Sequence, residues 1–385
     1  MFDYCPVCKS KSFKALGKLN FALPDTYPIA SKLTVLQCNK CGFVGSDSLA
    51  NKDDYNNYYR QITYSSNYTA FDLDDDEIQY LDETIAIIQK HINTDDKILD
   101  IGCGLSHILS GLKNNKYKNL YALDMSKECV NYFKDTYQID AIVGEVDNIP
   151  CNIKPDFIIL SHIVEHLFEL DKQLQYLKEQ LLEGKKIFVE VPDTSRFEEF
   201  ATNLGELSFF YYTHLLHFDE FHLQNVFEAN GFTMLESGKR VRVEKCVKIP
   251  SIWAVFSNVD KYVFKCNFNL ANKIGVWFDD FDSYIFDDLD NLVKTQKPVY
   301  VWGMGMHAHF LLGMTKLKDC NIVALLDKNP DFKGTHICGM EILSSDLLYN
   351  ATVDDCVFIC AQVNQSSMRF YLTETVGFKG EIITI

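Results

Sequence analysis

The chain contains no run of 18 or more uncharged apolar residues, and its opening, MFDYCPVC, has neither a basic segment nor the apolar stretch of an export signal. No membrane-spanning helix is expected, and the expected compartment is the cytoplasm. Basic residues are in deficit. Against 53 Asp and Glu stand 37 Lys and Arg, a formal charge of −16, the wrong sign for holding a phosphate backbone or an anionic bilayer. Neither nucleic acid nor membrane is expected as a partner. Thirteen cysteines are an odd number for a disulfide framework, and no solenoid repeat is visible. At 47% apolar and 23% charged residues, the composition excludes a disordered or fibrous chain. What remains is a folded chain of 385 residues, long enough for two or three domains of about 150.

Three regions differ in texture. Residues 1–65 are rich in turn formers and hold four patterned cysteines. Over 66–248, apolar runs of strand length alternate with segments of helical period, the layout of a doubly wound α/β sheet. Residues 249–385 restart the alternation with KPVYVWGMGM, NIVALLD, DDCVFICA and EIITI, which predicts a second, smaller α/β domain. Before it, Asp279, Asp280, Asp282, Asp287, Asp288 and Asp290 lie among aromatics and predict a solvated helical connector. In the middle region Ile78, Leu81, Ile85, Ile88 and Ile92 recur at helical steps and predict one buried face. The acids ahead of them, Asp72 and Asp74 to Glu77, suit a helix N-terminus.

Cys5-Pro-Val-Cys8 and Cys38-Asn-Lys-Cys41 are two C-x-x-C knuckles, each able to offer two thiolates to one tetrahedral ion. A closed four-sulfur site predicts structural Zn2+, which supplies folding energy that so short a module lacks. Unliganded or redox-active cysteines are the alternative.

Lys97 to Gly104 reads as a buried strand, a Gly-rich turn and a helix start, with Asp124 twenty residues after Gly104 at the end of the next strand. An acid at that place accepts hydrogen bonds from ribose hydroxyls. Nicotinamide dinucleotides and S-adenosylmethionine (SAM) both carry such a ribose. Asp100 stands just before the glycines, and His107 occupies the position of the third glycine of a dinucleotide fingerprint. A carboxylate repels a pyrophosphate and attracts a sulfonium and an ammonium, so SAM is the expected cofactor. The Asp100-x-Gly102-x-Gly104 pattern resembles motif I of class I SAM-dependent methyltransferases. By the same resemblance, Gly144 to Pro150 follows the third strand, where that family holds adenine, and Pro155 to Ser161 is its fourth strand.

Two histidine clusters follow. His162-Ile-Val-Glu165-His166 fits the H-x-x-E-H pattern of inverted zinc peptidases, but it comes directly after a buried strand, where a similar stretch in methyltransferases binds no metal. Orientation of the helix or lining of the cofactor pocket is expected instead. Tyr211-Tyr-Thr-His214-Leu-Leu-His217 precedes a helix opened by Asp219 and closed by Gly231. A core role is the default for any one of these histidines, and the cluster as a whole is expected to face substrate.

Zinc knuckles, a SAM domain and a second α/β domain together resemble the three-domain sugar methyltransferases of deoxysugar and surface-polysaccharide biosynthesis, typified by nucleotide-deoxysugar C-methyltransferases. Pro28 to Ser31, Cys38 to Val44, Tyr64-Ser65-Ser66 and Tyr211 to Leu215 carry the likeness. The resemblance implies an α/β fold with a Rossmann-like methyltransferase core, an N-terminal zinc module and a C-terminal Rossmann-like domain. It implies a small nucleotide-sugar substrate, and self-association into a homo-oligomer is left open. SAM is expected to be bound by Asp100, Gly102, Gly104, Asp124, Met125, Glu145, Val146, Ser161, His162, Tyr64 and Ser66. Substrate is expected at Gly303, Gly305, His307, Glu165 and His166. His214 is expected to act as general base, with Tyr211 as a polarising donor and His217 in support.

The family's Tyr-x-Glu-His-Leu stands here with Thr213 in place of the acid. Thr213 carries no charge with which to assist carbon deprotonation, whereas O- or N-methylation needs only an aligned lone pair and removal of an acidic proton. Carbon, oxygen and nitrogen acceptors stay open, as does a non-catalytic nucleotide-binding module. Val299 to Ala308, with Asp327 beyond, is a dinucleotide-like fingerprint without a leading acid. A nicotinamide site is one reading of it, and a nucleotide-sugar site the favoured one.

Overall fold

The apolar runs become strands of three sheets in the computed structural model, which describes residues 3–61, 73–200, 209–244, 247–281, 287–332, 334–361 and 364–384. In chain order the first elements are β1 (Phe13–Asn20), β2 (Lys32–Cys38), β3 (Val44–Ser48), α1 (Lys52–Gln61) and α2 (Asp75–Gln89). Next come β4 (Ile98–Ile101), α3 (Ile108–Asn114), β5 (Leu120–Asp124), α4 (Lys127–Tyr132), β6 (Asp140–Val143), β7 (Phe157–Ser161), α5 (Leu170–Gln180) and β8 (Lys186–Pro192). Then follow β9 (Leu216–His217), α6 (Glu220–Ala229), β10 (Thr233–Glu244) and β11 (Val247–Ser257).

The central sheet has the order β10-β11-β8-β7-β4-β5-β6. Its strands β6, β5, β4, β7 and β8 are parallel, and β11 runs antiparallel to both β8 and β10. All four residues of β4 are buried, as a strand covered on both faces requires. Strand order reverses at β4, so the carboxyl ends of β4 and β7 diverge and leave a crevice there.

Two compact units partition the chain. Unit 1 comprises Met1–Leu16, Val35–Phe197 and Thr213–Ile274, and unit 2 comprises Gly17–Thr34, Glu198–Tyr212 and Gly275–Ile385. These bounds differ from the expected division. The boundary at 248/249 falls inside β11, whose residues Ser251 to Ser257 pair with β8, so the strand completes the central sheet. The boundary at 65/66 lies outside the described residues. The cysteine segment also joins the central domain in unit 1, where β3 pairs with β9 through Val44 opposite His217 and Gly45 opposite Leu216.

In unit 2 the helices α8 (Asp287–Thr295), α9 (Met306–Met314) and α10 (Gln365–Phe370) accompany β12 (Val299–Trp302), β13 (Ile322–Asp327), β14 (His336–Ile337), β15 (Met340–Ser344), β16 (Cys356–Ile359) and β17 (Glu381–Thr384). The sheet order is β14-β15-β13-β12-β16-β17, parallel except for β14. Helix α7 (Asn269–Phe281) runs through the division between the units. The expected acidic connector is therefore two helices, α7 and α8, with Asp282 outside the described residues. No helix among the described residues is long and apolar enough to cross a membrane.

Helix α2 starts in a capping box: the Asp74 carboxylate accepts from the Glu77 backbone N–H, and the Glu77 side chain returns to the Asp74 N–H. The expected apolar face is only partly buried. Ile85 and Ile88 enter the core formed with Ile98, Leu109, Leu112 and Phe188, while Ile78, two turns before Ile85, is 44% exposed. Ile88→Ala is expected to cost about 2–5 kcal/mol in urea unfolding, and Ile78→Ala to stay within about 0.5 kcal/mol of the parent. Equal losses at both positions contradict this packing.

Candidate active site

Where β4 ends, the chain reverses through Gly102 (φ 66°) and Gly104 (φ 51°), backbone angles that glycine adopts without strain. A Cβ on Gly102 lies 2.1 Å from Ile163 Cδ1, so the segment after β7 packs directly on this turn. The Gly102 N–H donates to the Leu123 carbonyl at 2.7 Å. Asp124, at the end of β5, accepts the Gly104 N–H at 2.9 Å and the Ser126 N–H at 2.8 Å. Its carboxylate thus holds the turn shut and keeps lone pairs toward the crevice.

Asp100 is 2% exposed, and its Oδ2 has no hydrogen-bond donor among the described residues. Burial, helped by the neighbouring Asp124 charge, pushes its pKa up to about 8. Burial also raises the Asp124 carboxyl, against the pull of its backbone donors. A buried carboxylate short of donors, beside a glycine cradle, fits a ligand that brings a cation. The sulfonium and ammonium of SAM meet that requirement.

The remaining expected cofactor residues distribute as follows. Met125 lies in the turn after β5. Glu145 accepts from Asn56 Nδ2 at 2.9 Å and pairs with Arg60, both on α1, and Val146 is buried. Ser161 ends β7, and His162 follows in the left-handed region (φ 55°), with its N–H on the Glu190 carbonyl at 2.8 Å. Tyr64, Ser65 and Ser66 lie outside the described residues. The tie from α1 to Glu145 has no signal in the sequence, because α1 is almost wholly polar and buries only Tyr55.

The two histidine motifs converge. His166 and His214 meet edge to face with ring centroids 4.9 Å apart. One ligand atom each from Glu165, His166 and His214 lie within 4.8 Å of one another. His166 Nδ1 donates to the Thr213 carbonyl at 2.8 Å, and the Tyr59 ring stands 5.9 Å from its ring. Neither Glu165 oxygen has a donor within hydrogen-bond geometry among the described residues. Burial raises Glu165 to about 8 and lowers His166 to about 4. Reading His162 to His166 as a local motif missed its partner, His214, which the chain supplies only through folding.

His217, expected to support the base, takes a different place. It is a buried residue of β9 whose Nε2 meets Ser46 Oγ at 2.8 Å, and burial holds its pKa down to about 3. At 1% exposure its side chain is enclosed in the protein interior, as the core default expects. Asp219 caps α6 through the His222 N–H as expected.

In unit 2, the Tyr211 ring meets His307 edge-on at 6.2 Å, and His307 is buried in α9. Gly303 (φ 96°) donates to the Leu326 carbonyl, and Asp327 accepts the Met304 N–H at 2.7 Å and the Asn329 N–H at 2.8 Å. A Cβ on Gly305 meets nothing within 4 Å.

The four N-terminal sulfurs lie within 4.8 Å of one another, with Cys5–Cys41 and Cys8–Cys38 separations of 3.5 Å. Tetrahedral thiolates around zinc sit about 3.8 Å apart, so this donor set fits the ion.

Residues 73–237 match the family model for a methyltransferase domain. That stretch of the chain is a methyltransferase domain. No curated protein matches the chain. Solved structures with a similar fold include a SAM-dependent methyltransferase from Methanosarcina mazei (15% identity, covering 46% of this chain and 98% of that one, TM-score 0.40). A SAM-dependent methyltransferase from Clostridium acetobutylicum is 14% identical, covering 49% of this chain and 94% of its own, with TM-score 0.38. Magnesium protoporphyrin IX methyltransferase from Synechocystis, with bound SAM, is 14% identical, covering 54% and 99%, with TM-score 0.39.

A raised pKa at Asp100 means that the folded chain keeps a proton the unfolded chain has lost. Its share of stability is complete below pH ~4 and declines until the pH reaches about 8. Asp100→Asn removes this penalty. Thermal melts of the cofactor-free protein should therefore favour the variant increasingly from pH 5 to pH 8, while its SAM affinity falls about 10- to 100-fold. A melting difference independent of pH argues against the buried, donor-poor carboxyl.

Proposed function

We propose that this methyltransferase acts on a nucleotide-linked sugar, or a related small intermediate of surface-polysaccharide or natural-product biosynthesis. The observation that carries the substrate class is the second glycine turn, in unit 2. Asp327 ties it as Asp124 ties the first, but Val301 stands where the first turn has Asp100. A turn without that acid tolerates phosphate on its backbone donors. Gly303, Gly305 and His307 are the residues assigned to this binding.

For the transfer step the reading rests on unit 1. Asp100, Gly102, Gly104 and Asp124 hold SAM, and His214 is the residue through which the acceptor atom loses its proton. Thr213 in place of an acid favours a hydroxyl or amine over a carbon acceptor. Methyl transfer is then an in-line displacement: the new bond forms as the methyl–sulfur bond breaks and S-adenosylhomocysteine leaves.

Incubating a panel of nucleotide sugars with SAM should give one product heavier by a methyl group, its position assigned by NMR. Methylation of free small molecules alone defeats the substrate assignment. His214→Ala should lower turnover about 10²- to 10⁴-fold with SAM affinity unchanged, and near-parental turnover removes His214 from the step.

The four thiolates are proposed to hold structural zinc. Elemental analysis should find about one thiolate-bound zinc per chain, and Cys38→Ala should lose that ion together with part of the fold. A variant that folds and binds metal like its parent refutes this assignment.

A further inference from the structure

Glu165, His166 and His214 form a second donor set, distinct from the four cysteines and contained within unit 1. The three ligand atoms come from two segments that approach only in the folded chain. Glu165 is 1% exposed, with His162 Nδ1 at 3.4 Å and His166 Nε2 at 3.9 Å from its Oε1. Neither distance completes a hydrogen bond to the carboxylate. A buried carboxylate in that condition is costly unless a cation is supplied.

The histidine side is arranged to receive one. His166 Nδ1–H is committed to the Thr213 carbonyl, which fixes the tautomer whose Nε2 lone pair faces Glu165. Metal-bound histidines are held in this way, one nitrogen on the ion and the other on a backbone carbonyl. Around the set stand Tyr59 of α1, His162, Glu190 of β8, and Arg240 and Arg242 of β10, with Arg242 acting electrostatically on Glu165.

We propose that Glu165, His166 and His214 bind a divalent transition-metal ion that activates the methyl acceptor. Two imidazoles and one carboxylate suit zinc or iron(II) and leave coordination positions open. The site begins two residues beyond Ile163, which packs on the turn at Gly102. An acceptor hydroxyl coordinated there becomes more acidic. Its O–H bond breaks and the proton passes to solvent. The oxygen then bonds to the methyl carbon as the carbon–sulfur bond breaks, leaving the electron pair on S-adenosylhomocysteine. No oxidant or reductant is needed. His214 thus acts through the ion, which deepens the proposed transfer step and rests on it for its chemistry.

The test is cobalt(II) titration of the full metal-free chain, followed by absorption and elemental analysis. Two equivalents should bind. One gives the thiolate-to-cobalt charge-transfer band of a four-sulfur site, and the other gives weaker visible bands without it. Glu165→Gln, which preserves shape, and His166→Ala should each lose the second equivalent and keep the first, with SAM affinity reporting that the fold survives. Saturation of the parent chain at one thiolate-bound equivalent overturns the proposal without reference to any variant. Retention of the second equivalent in both variants overturns it as well. A second ion lost in both variants, in an enzyme that methylates no nucleotide sugar, supports the site and defeats only the substrate assignment.

Discussion

A carboxylate taken out of water without a donor for its oxygens is among the least stable arrangements a folded chain can contain. This protein places two of them at the carboxyl end of one parallel sheet. Asp100 is the penultimate residue of β4 and Glu165 follows β7, the two strands between which the order reverses. Neither is a satisfied core residue, because each has an oxygen with no donor among the described residues. Folding holds them there through hydrophobic burial of the flanking strands, whose residues are almost entirely shielded. Burial raises both carboxyls to about 8, so in the absence of a ligand each keeps its proton at neutral pH, and a cation that binds there takes the proton's place.

The parts legible in the sequence are those whose signals are local. The strand, turn and strand from Ile98 to Asp124 were readable because four buried residues, two glycines and an acid lie within one short span. The cap at Asp219 and the capping box at Asp74 were equally local. The hairpin of β10 and β11 was not, since TMLESGKRVRVE mixes charges into an edge strand that pairs only with β11 and packs against α2 and α6, while β11 joins the hairpin to β8. Nor was the meeting of His166 with His214, 48 positions later, which depends on the backbone contact from Thr213 to the His166 ring. His217 shows the converse. Its neighbours in sequence suggested chemistry, and only the pairing of β9 with β3 shows that the ring is enclosed.

The two glycine turns make a controlled comparison within one chain. In each, the first glycine donates to the carbonyl just before the last residue of the next strand, and that strand's terminal Asp receives two backbone N–H groups. The scaffolds agree, and the residue two positions before the first glycine differs: Asp100 in one, Val301 in the other. On the proposed assignment, ligand charge follows from this single side chain and not from the architecture of the turn.

The pairing of β3 with β9 is only two residues long, yet it connects the cysteine segment to the loop that carries His214, with the Ser46–His217 hydrogen bond as its side-chain tie. A hydrogen-bonded route therefore runs from the segment that follows Cys41 to the backbone three residues beyond His214.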